Sequence, residues 1–314
     1  MPAVLLPPVF VLIWSTGFIV AKYAAPHADP LTFLCLRYLG ALVLLTPIAF
    51  ALRAEWPKDR AGWAAALVNG VLLHGVYLGG VWWAIAHGLP AGVSALIAAL
   101  QPLLTALAAG PLLGERLGPI RWCGIVLGFA GVAAVVAPKL AGVAGVATFG
   151  GPIAVNVAAV VALTAATLHQ KRTLGDADLR TVAPLQYLGA LVVTAPAAFL
   201  IEDMRVDWTL ETLFALLWSV VVVSIVAVML MLVMIKRGEV SRVAALIYLV
   251  PPTAALQAYA LFDETLTPVQ IGGMALAAMG VALAARGTAP SAEGCIAAKP
   301  LPGEDAAKPS HRPA

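Results

Sequence analysis

The stretch from Arg37 to Phe50 reads RYLGALVLLTPIAF, and the stretch from Gln186 to Phe199, each position 149 residues further on, reads QYLGALVVTAPAAF. The same offset carries Lys22 onto Lys171, Pro102 onto Pro251, Glu115 onto Glu264, Pro119 onto Pro268 and Gly131 onto Gly280. One register spanning most of both halves makes the chain two copies of one unit. If each copy holds an odd number of membrane spans, the two must face opposite ways across the bilayer, as an inverted repeat.

The solvent of such a chain is lipid. With 61% apolar and 11% charged residues and a mean hydropathy of +0.94, it has too little polar surface to cover a water-soluble globule of 314 residues. Hydrocarbon demands that every backbone amide and carbonyl be paired internally, which leaves helices or closed-barrel strands. Strict apolar/polar alternation is missing. Ten apolar runs have the length needed to cross a core about 30 Å thick as helices. They lie near 5–25, 31–52, 63–84, 91–113, 119–137, 150–171, 181–201, 210–235, 241–262 and 268–285. The expected fold is an all-α integral membrane protein of ten transmembrane helices in two inverted five-helix repeats. Residues 1–137 form the first repeat, 138–149 an outer linker, 150–287 the second repeat and 288–314 a disordered cytoplasmic tail rich in Pro, Ala, Gly and charge.

Charge sets the orientation. With a cytoplasmic N-terminus, the inner loops and tail hold Arg53, Lys58, Arg60, Arg116, Arg121, Lys171, Arg172, Arg180, Lys236, Arg237, Arg242, Arg286, Lys299, Lys308 and Arg312, fifteen of the nineteen basic residues. Lys22, Arg37, Lys139 and Arg205 fall at outer ends, where Glu202, Asp203 and Asp207 also collect. The positive-inside rule therefore places both termini in the cytoplasm of a cell with a single or inner cytoplasmic membrane. The first run lacks a basic leader and is too long for a cleaved signal peptide, so it reads as a retained helix. Cys35, Cys123 and Cys295 have neither pairing nor metal-ligand spacing. The net charge of +3 follows from topology and needs no nucleic-acid partner.

Several motifs resemble a known family. The WSTGF segment from Trp14, Arg37-Tyr-Leu, Gln101-Pro-Leu-Leu-Thr and Leu113-Gly-Glu-Arg-Leu resemble the first repeat of EamA-type drug/metabolite transporters. Leu249-Val-Pro-Pro, Phe262-Asp-Glu-Thr-Leu and Gln270-Ile-Gly-Gly resemble the second. The resemblance covers residues 5–285 and implies a ten-helix carrier with a central cavity, commonly an exporter of amino acids or related metabolites. Small multidrug members of the superfamily carry a Glu in the first helix. None lies between Pro2 and Tyr23, which speaks against multidrug antiport through such a carboxylate.

Polar side chains in lipid face a neighbouring helix or a water-filled path, so they are the candidates for a substrate site. Ser94, Ala98, Gln101 and Thr105 share one face of span four, either a cavity wall or an interhelical contact. His74 and Tyr77 share a face near the middle of span three, where an imidazole is expensive and able to bind cargo or shuttle a proton. Of the adjacent Trp82 and Trp83, at most one points inward. Trp14 and Ser15 in span one, Asn156 and Thr164 in span six, and Tyr248 in span nine complete the expected substrate-binding set. Asn156 reads as a cavity ligand or, the preferred alternative, as an interhelical hydrogen bond. Pro102, Pro251 and Pro252 are expected hinges, since proline frees carbonyls one turn back and bends a helix. Lys22 and Arg37 read either as cations attracting a carboxylate at the outer mouth or, the blander reading, as residues snorkelling to headgroups with Asp29 as partner. Glu115 and Glu264 read as turn caps or ion-pair members. The small-residue stripes Gly124/Gly128/Gly131 and Gly273/Ala277/Gly280 pack two helices closely, within one chain or between two.

The expected function is alternating access: a cavity at the midplane opened by rocking one repeat against the other, moving a small metabolite outward, with no cofactor, no metal and a monomeric unit. The sparsity of buried charge suits a zwitterion better than a nucleotide sugar or a phosphorylated triose. No paired carboxylates, His/Cys metal spacing or GxSxG elbow suggest an enzyme. Uptake by the same fold, a channel and a non-transporting sensor remain the rival readings.

Overall fold

A computed structural model of the protein describes residues 6–113, 118–140, 142–175, 177–236, 246, 249–264 and 267–286. The chain is helical throughout these residues, apart from turns and one isolated antiparallel bridge between Ala28 and Val206. In order the helices are α1 (Leu6–Ala24), α2 (Pro30–Ala51), α3 (Arg60–Ala86), α4 (Ala91–Ala98), α5 (Gln101–Leu113), α6 (Pro119–Val136), α7 (Gly142–Thr173) and α8 (Leu179–Ile201). There follow α9, running from Leu210 through Lys236, α10 (Val250–Phe262) and α11 (Pro268–Arg286). Eight stretches are long and apolar enough to cross a bilayer, and Pro268–Ala284 is a shorter apolar helix. Large apolar side chains such as Val126, Val192, Phe199 and Leu200 face outward, as lipid contact requires.

Two features depart from expectation. Where a linker is expected at 138–149, a 3-10 turn at Ala137–Leu140 is followed by α7, whose apolar, Ala- and Val-rich first turns extend the helix back to Gly142. The three expected hinge prolines do not stand in helix interiors. The fourth run breaks at Ala99–Leu100, and Pro102 stands in the first turn of α5; Pro251 and Pro252 likewise stand in the first turn of α10. A first turn needs no intrahelical N–H, so proline starts a new segment there at no cost in hydrogen bonding.

Within α3 the stretch Val71–Leu78 is π-helical, and within α9 so is Trp218–Val226. Adding 149 to the first gives 220–227, so the two irregular stretches occupy corresponding positions. π-Helical turns are rare and concentrate at functional sites.

The two halves are knitted together at both ends. Glu202, after α8, accepts hydrogen bonds from the free N–H groups of Leu31 and Thr32 (both 2.8 Å) and from Thr32 Oγ1 (2.9 Å), capping α2. Asp29 Oδ2 accepts from Arg205 N at 2.8 Å, and Asp29 N donates to Arg205 O at 3.0 Å. At the other end Asp178, 149 residues after Asp29, caps α8 by accepting from Arg180 N (2.9 Å) and also accepts from Glu55 N (3.3 Å), while Thr181 Oγ1 donates to Glu55 O (2.8 Å). The hydrogen bonds from the Arg180 side chain hold the Asp178 carboxyl down to about 2. Because this folded value lies below the ordinary value near 4, the contribution is complete above pH 4 and disappears as pH falls towards 2. The pair is partly solvated, so Asp178→Asn is expected to lower the melting temperature by only about 1–2 °C at pH 7, a gap that closes at pH 2–3 in thermal unfolding. A gap that persists at low pH contradicts this account.

The most extensive helix pairing is that of α6 with α11. Gly131 approaches Gly273 O, Gly124 approaches Gly280 O, and Gly280 approaches Gly128 N, so the small stripes meet each other within one chain. Each contact recurs with its partners exchanged by the 149-residue offset.

Candidate functional site

A cavity of about 140 Å³ lies between α1, α2, α3, α8 and α9. Its wall is largely aromatic: Trp14 from α1, His74, Tyr77 and Trp82 from α3, and Tyr187 from α8, with Arg37 from α2 as the single formal charge. That volume is close to the roughly 150 Å³ of an apolar cavity able to admit benzene. Both π-helical stretches contribute, through Leu73, His74, Tyr77 and Leu78 on one side and Val223 on the other.

An aromatic stack fixes His74. Its ring lies on Tyr187 (centroids 4.6 Å apart, planes at 27°), and Tyr38 tilts against it at 6.0 Å. Tyr38 also stacks on Tyr187 at 5.7 Å, and its hydroxyl donates to His74 O at 2.7 Å. Tyr38 and Tyr187 are related by the 149-residue offset. The His74 carbonyl also accepts the Gly79 N–H at the end of the π-helical stretch, so the Tyr38 hydroxyl adds a second hydrogen bond to it. The imidazole Nδ1 is buried without a hydrogen-bond partner among the described residues.

Arg37 is 4% exposed. Its Nε donates to Ser224 Oγ at 3.2 Å, and Ser224 Oγ donates to Ser219 O, five residues back along the π-helical stretch. The snorkelling reading of this residue is therefore wrong: Arg37 begins two turns inside α2, about 10 Å from its first residue, and points into the protein. Lys22 pairs with Glu264, not Asp29, and its ammonium lies 5.0 Å from the centre of the Phe262 ring. Asp29 is occupied by the Arg205 backbone.

The remaining expected site residues are distributed as follows. Trp14, His74 and Tyr77 line the cavity. Of the tryptophan pair Trp82 does so, whereas Trp83 stacks on His87 at 3.8 Å. The polar stripes of α4–α5 and α7 meet each other: Asn156 Nδ2 donates to Ser94 Oγ, Gln101 Nε2 to Thr105 Oγ1 (3.1 Å) and to Thr167 Oγ1 (3.2 Å). Thr105 and Thr164 return their hydroxyls to the carbonyls of Gln101 and Val160. Ser15 donates to Leu12 O (3.0 Å) and to Gln257 Oε1 (3.1 Å), joining α1 to α10. Ser15, Gln101, Thr105, Asn156 and Thr164 thus stand apart from the cavity wall. Tyr248 and Glu115 lie outside the described residues. Arg37 and Tyr187 are cavity residues that the reading of polar stripes passed over. Their signal lay in the repeat itself, because the block that opens with Arg37 in one copy opens with Gln186 in the other.

The model of the EamA-like transporter family matches residues 1–137 and 151–286. A probable amino-acid metabolite efflux pump of Escherichia coli (strain K12) is 28% identical over 281 residues, 86% of this chain and 90% of that protein. An uncharacterized transporter of Bacillus subtilis (strain 168), YvbV, is 28% identical over 279 residues, 85% of this chain and 86% of that one. A crystal structure at 20% identity superposes with a TM-score of 0.64 over 90% of this chain and 97% of its own, a likeness of fold. With apolar helices of membrane-crossing length and both halves matched, the chain is a multi-pass membrane protein and belongs to the EamA-like transporter family.

Proposed function

We propose that the protein exports small zwitterionic metabolites, amino acids above all, by alternating access through the cavity between α1, α2, α3, α8 and α9. The observation that carries this reading is the cavity: aromatic walls contributed by both halves, one cation, and room for a cargo of ring size. The Escherichia coli relative named as an amino-acid metabolite efflux pump supports the class of cargo. The architecture behind it is ten spans in two inverted five-helix units, with both termini in the cytoplasm and the chain working as a monomer in an inner or cytoplasmic membrane. Four pairs of offset-related features support the inversion. These are the reciprocal glycine contacts of α6 and α11, the stacked Tyr38 and Tyr187, the two π-helical stretches, and Asp29 and Asp178 at opposite ends. Contact between Tyr38 and its own repeat mate Tyr187 is what a two-fold axis running between them produces. Rocking one unit against the other about the segment starts at Pro102 and Pro251–Pro252 then opens the cavity to one side at a time.

Counterflow of labelled neutral, aromatic, basic and acidic amino acids into proteoliposomes tests this reading, with and without a pH gradient. Saturable exchange of one class is expected. His74→Ala is expected to lower it at least about fivefold by removing the ring stacked on Tyr187, with monodisperse protein retained in detergent. Non-saturable flux points to a channel, and ligand binding without flux to a sensor.

A further inference from the structure

We infer that Arg37 anchors a carboxylate of the cargo, so that the substrate is a small monocarboxylate whose apolar or aromatic body lies against Trp14, Tyr77, Trp82 and Tyr187. This deepens the carrier reading above and rests on it. A guanidinium does not shed its charge on burial, and it presents five N–H donors in a fixed fork. Ser224 takes one of them. No carboxylate among the described residues pairs with the others, although the residue is 4% exposed. A buried cation without a counter-charge is strongly unfavourable, and a bidentate oxyanion is the partner its geometry matches.

The repeat shows that the fold does not require this charge. At the corresponding position of the second half, Gln186 is neutral, 7% exposed and satisfied by Asn69, its Nε2 donating to Asn69 Oδ1 at 2.7 Å. Asn69 in turn donates to Ala166 O at 2.7 Å. One half closes this site with an amide pair. The other places a cation there, and that cation forms part of the cavity wall. A lone guanidinium suits one carboxylate better than a phosphorylated dianion, and the aromatic surroundings suit an apolar body.

The test uses the purified full chain in detergent, as wild type, Arg37→Gln and Arg37→Lys. Ligands are L-phenylalanine, L-leucine and L-methionine and the primary amide of each, which keeps the ammonium and loses the carboxylate. Fluorescence of the wall residues Trp14 and Trp82 reports binding, and thermal unfolding reports the fold. At least one acid is expected to bind wild type, its amide at least about tenfold more weakly. Arg37→Gln is expected to weaken the acid by at least about tenfold without changing the amide, with Arg37→Lys intermediate. Without ligand, Arg37→Gln should unfold at the same or a higher temperature, since an unpaired buried charge has been removed. The inference is overturned if none of the acids binds folded wild type, if amides bind as well as acids, or if Arg37→Gln keeps wild-type affinity. It is equally overturned if that variant melts well below wild type, which would make Arg37 a structural residue. Counterflow of the same ligands separates the two readings. Acids and amides carried equally leave a carrier without this anchor, whereas Arg37-dependent binding without flux keeps the anchor and removes the carrier.

Discussion

Gly280→Leu is expected to abolish recovery of folded protein, cutting the monodisperse peak of a fluorescent fusion in size-exclusion chromatography by at least about tenfold, while Gly272→Leu behaves as wild type. A Cβ at position 280 would lie 2.2 Å from Gly128 N and 2.6 Å from Gly124 O. Those neighbours are backbone atoms of α6, so no rotamer change relieves the overlap; only separating the two helices does. Gly131 and Gly124 impose the same limit from the other side, at 2.4 Å from Ala277 N and 2.5 Å from Ala284 N. Lipid supplies no hydrophobic drive to bring the helices back together, and their association depends on this close packing. Gly272 is two turns away on the exposed face of α11 and has nothing within 4 Å of an added Cβ. Helix propensity, insertion and chain length are therefore matched between the two variants. Equal yields would show that α6 and α11 do not approach this closely.

The same contrast explains what could be read from the chain before its fold was known. Helix limits were legible because apolar length and proline position are local: α1, α2, α8 and α11 begin and end within about two residues of the expected runs, inside ordinary boundary uncertainty. The glycine stripes were legible because small-xxx-small spacing has one use in lipid. The direction of a polar stripe was not. Ser94–Gln101–Thr105 and Asn156–Thr164–Thr167 each have helical spacing, but spacing identifies a face and not the neighbour it meets, and the two faces hydrogen-bond to each other. Arg37 was misplaced by a rule about loops. Counting basic residues by the side on which they fall treats a cation near a span's end as an interfacial residue. Two helical turns separate Arg37 from Pro30, and the π-helical stretch that brings Ser224 to it leaves no mark in residue type.

Glu264→Gln is expected to open the cavity to the outer side. Lys22 and Glu264 join the end of α1 to the end of α10, with Phe262 beneath the ammonium. In the proposed topology this pair lies on the outer face, so in the described conformation it ties the outer ends of two spans together. Both side chains are largely covered, at 31% and 15% exposed, so the pair is screened less than a surface ion pair and releases more when one charge is removed. A change of about 1–2 kcal/mol shifts the inward/outward balance about five- to thirtyfold. The measurement places a cysteine at Val81 on the cavity wall, in a background with Cys35, Cys123 and Cys295 replaced by serine, and follows labelling of intact cells by a membrane-impermeant maleimide. Labelling should accelerate at least about fivefold with Glu264→Gln and return towards the starting rate when the charges are exchanged as Lys22→Glu with Glu264→Lys. The exchange matters because it restores attraction without restoring either side chain. If labelling is unchanged by Glu264→Gln, the pair is a tether at the rim and not part of the gate. If the variant accelerates labelling and the exchanged pair does not slow it, the closure needs the Lys22 ammonium over Phe262 as well as its attraction to Glu264.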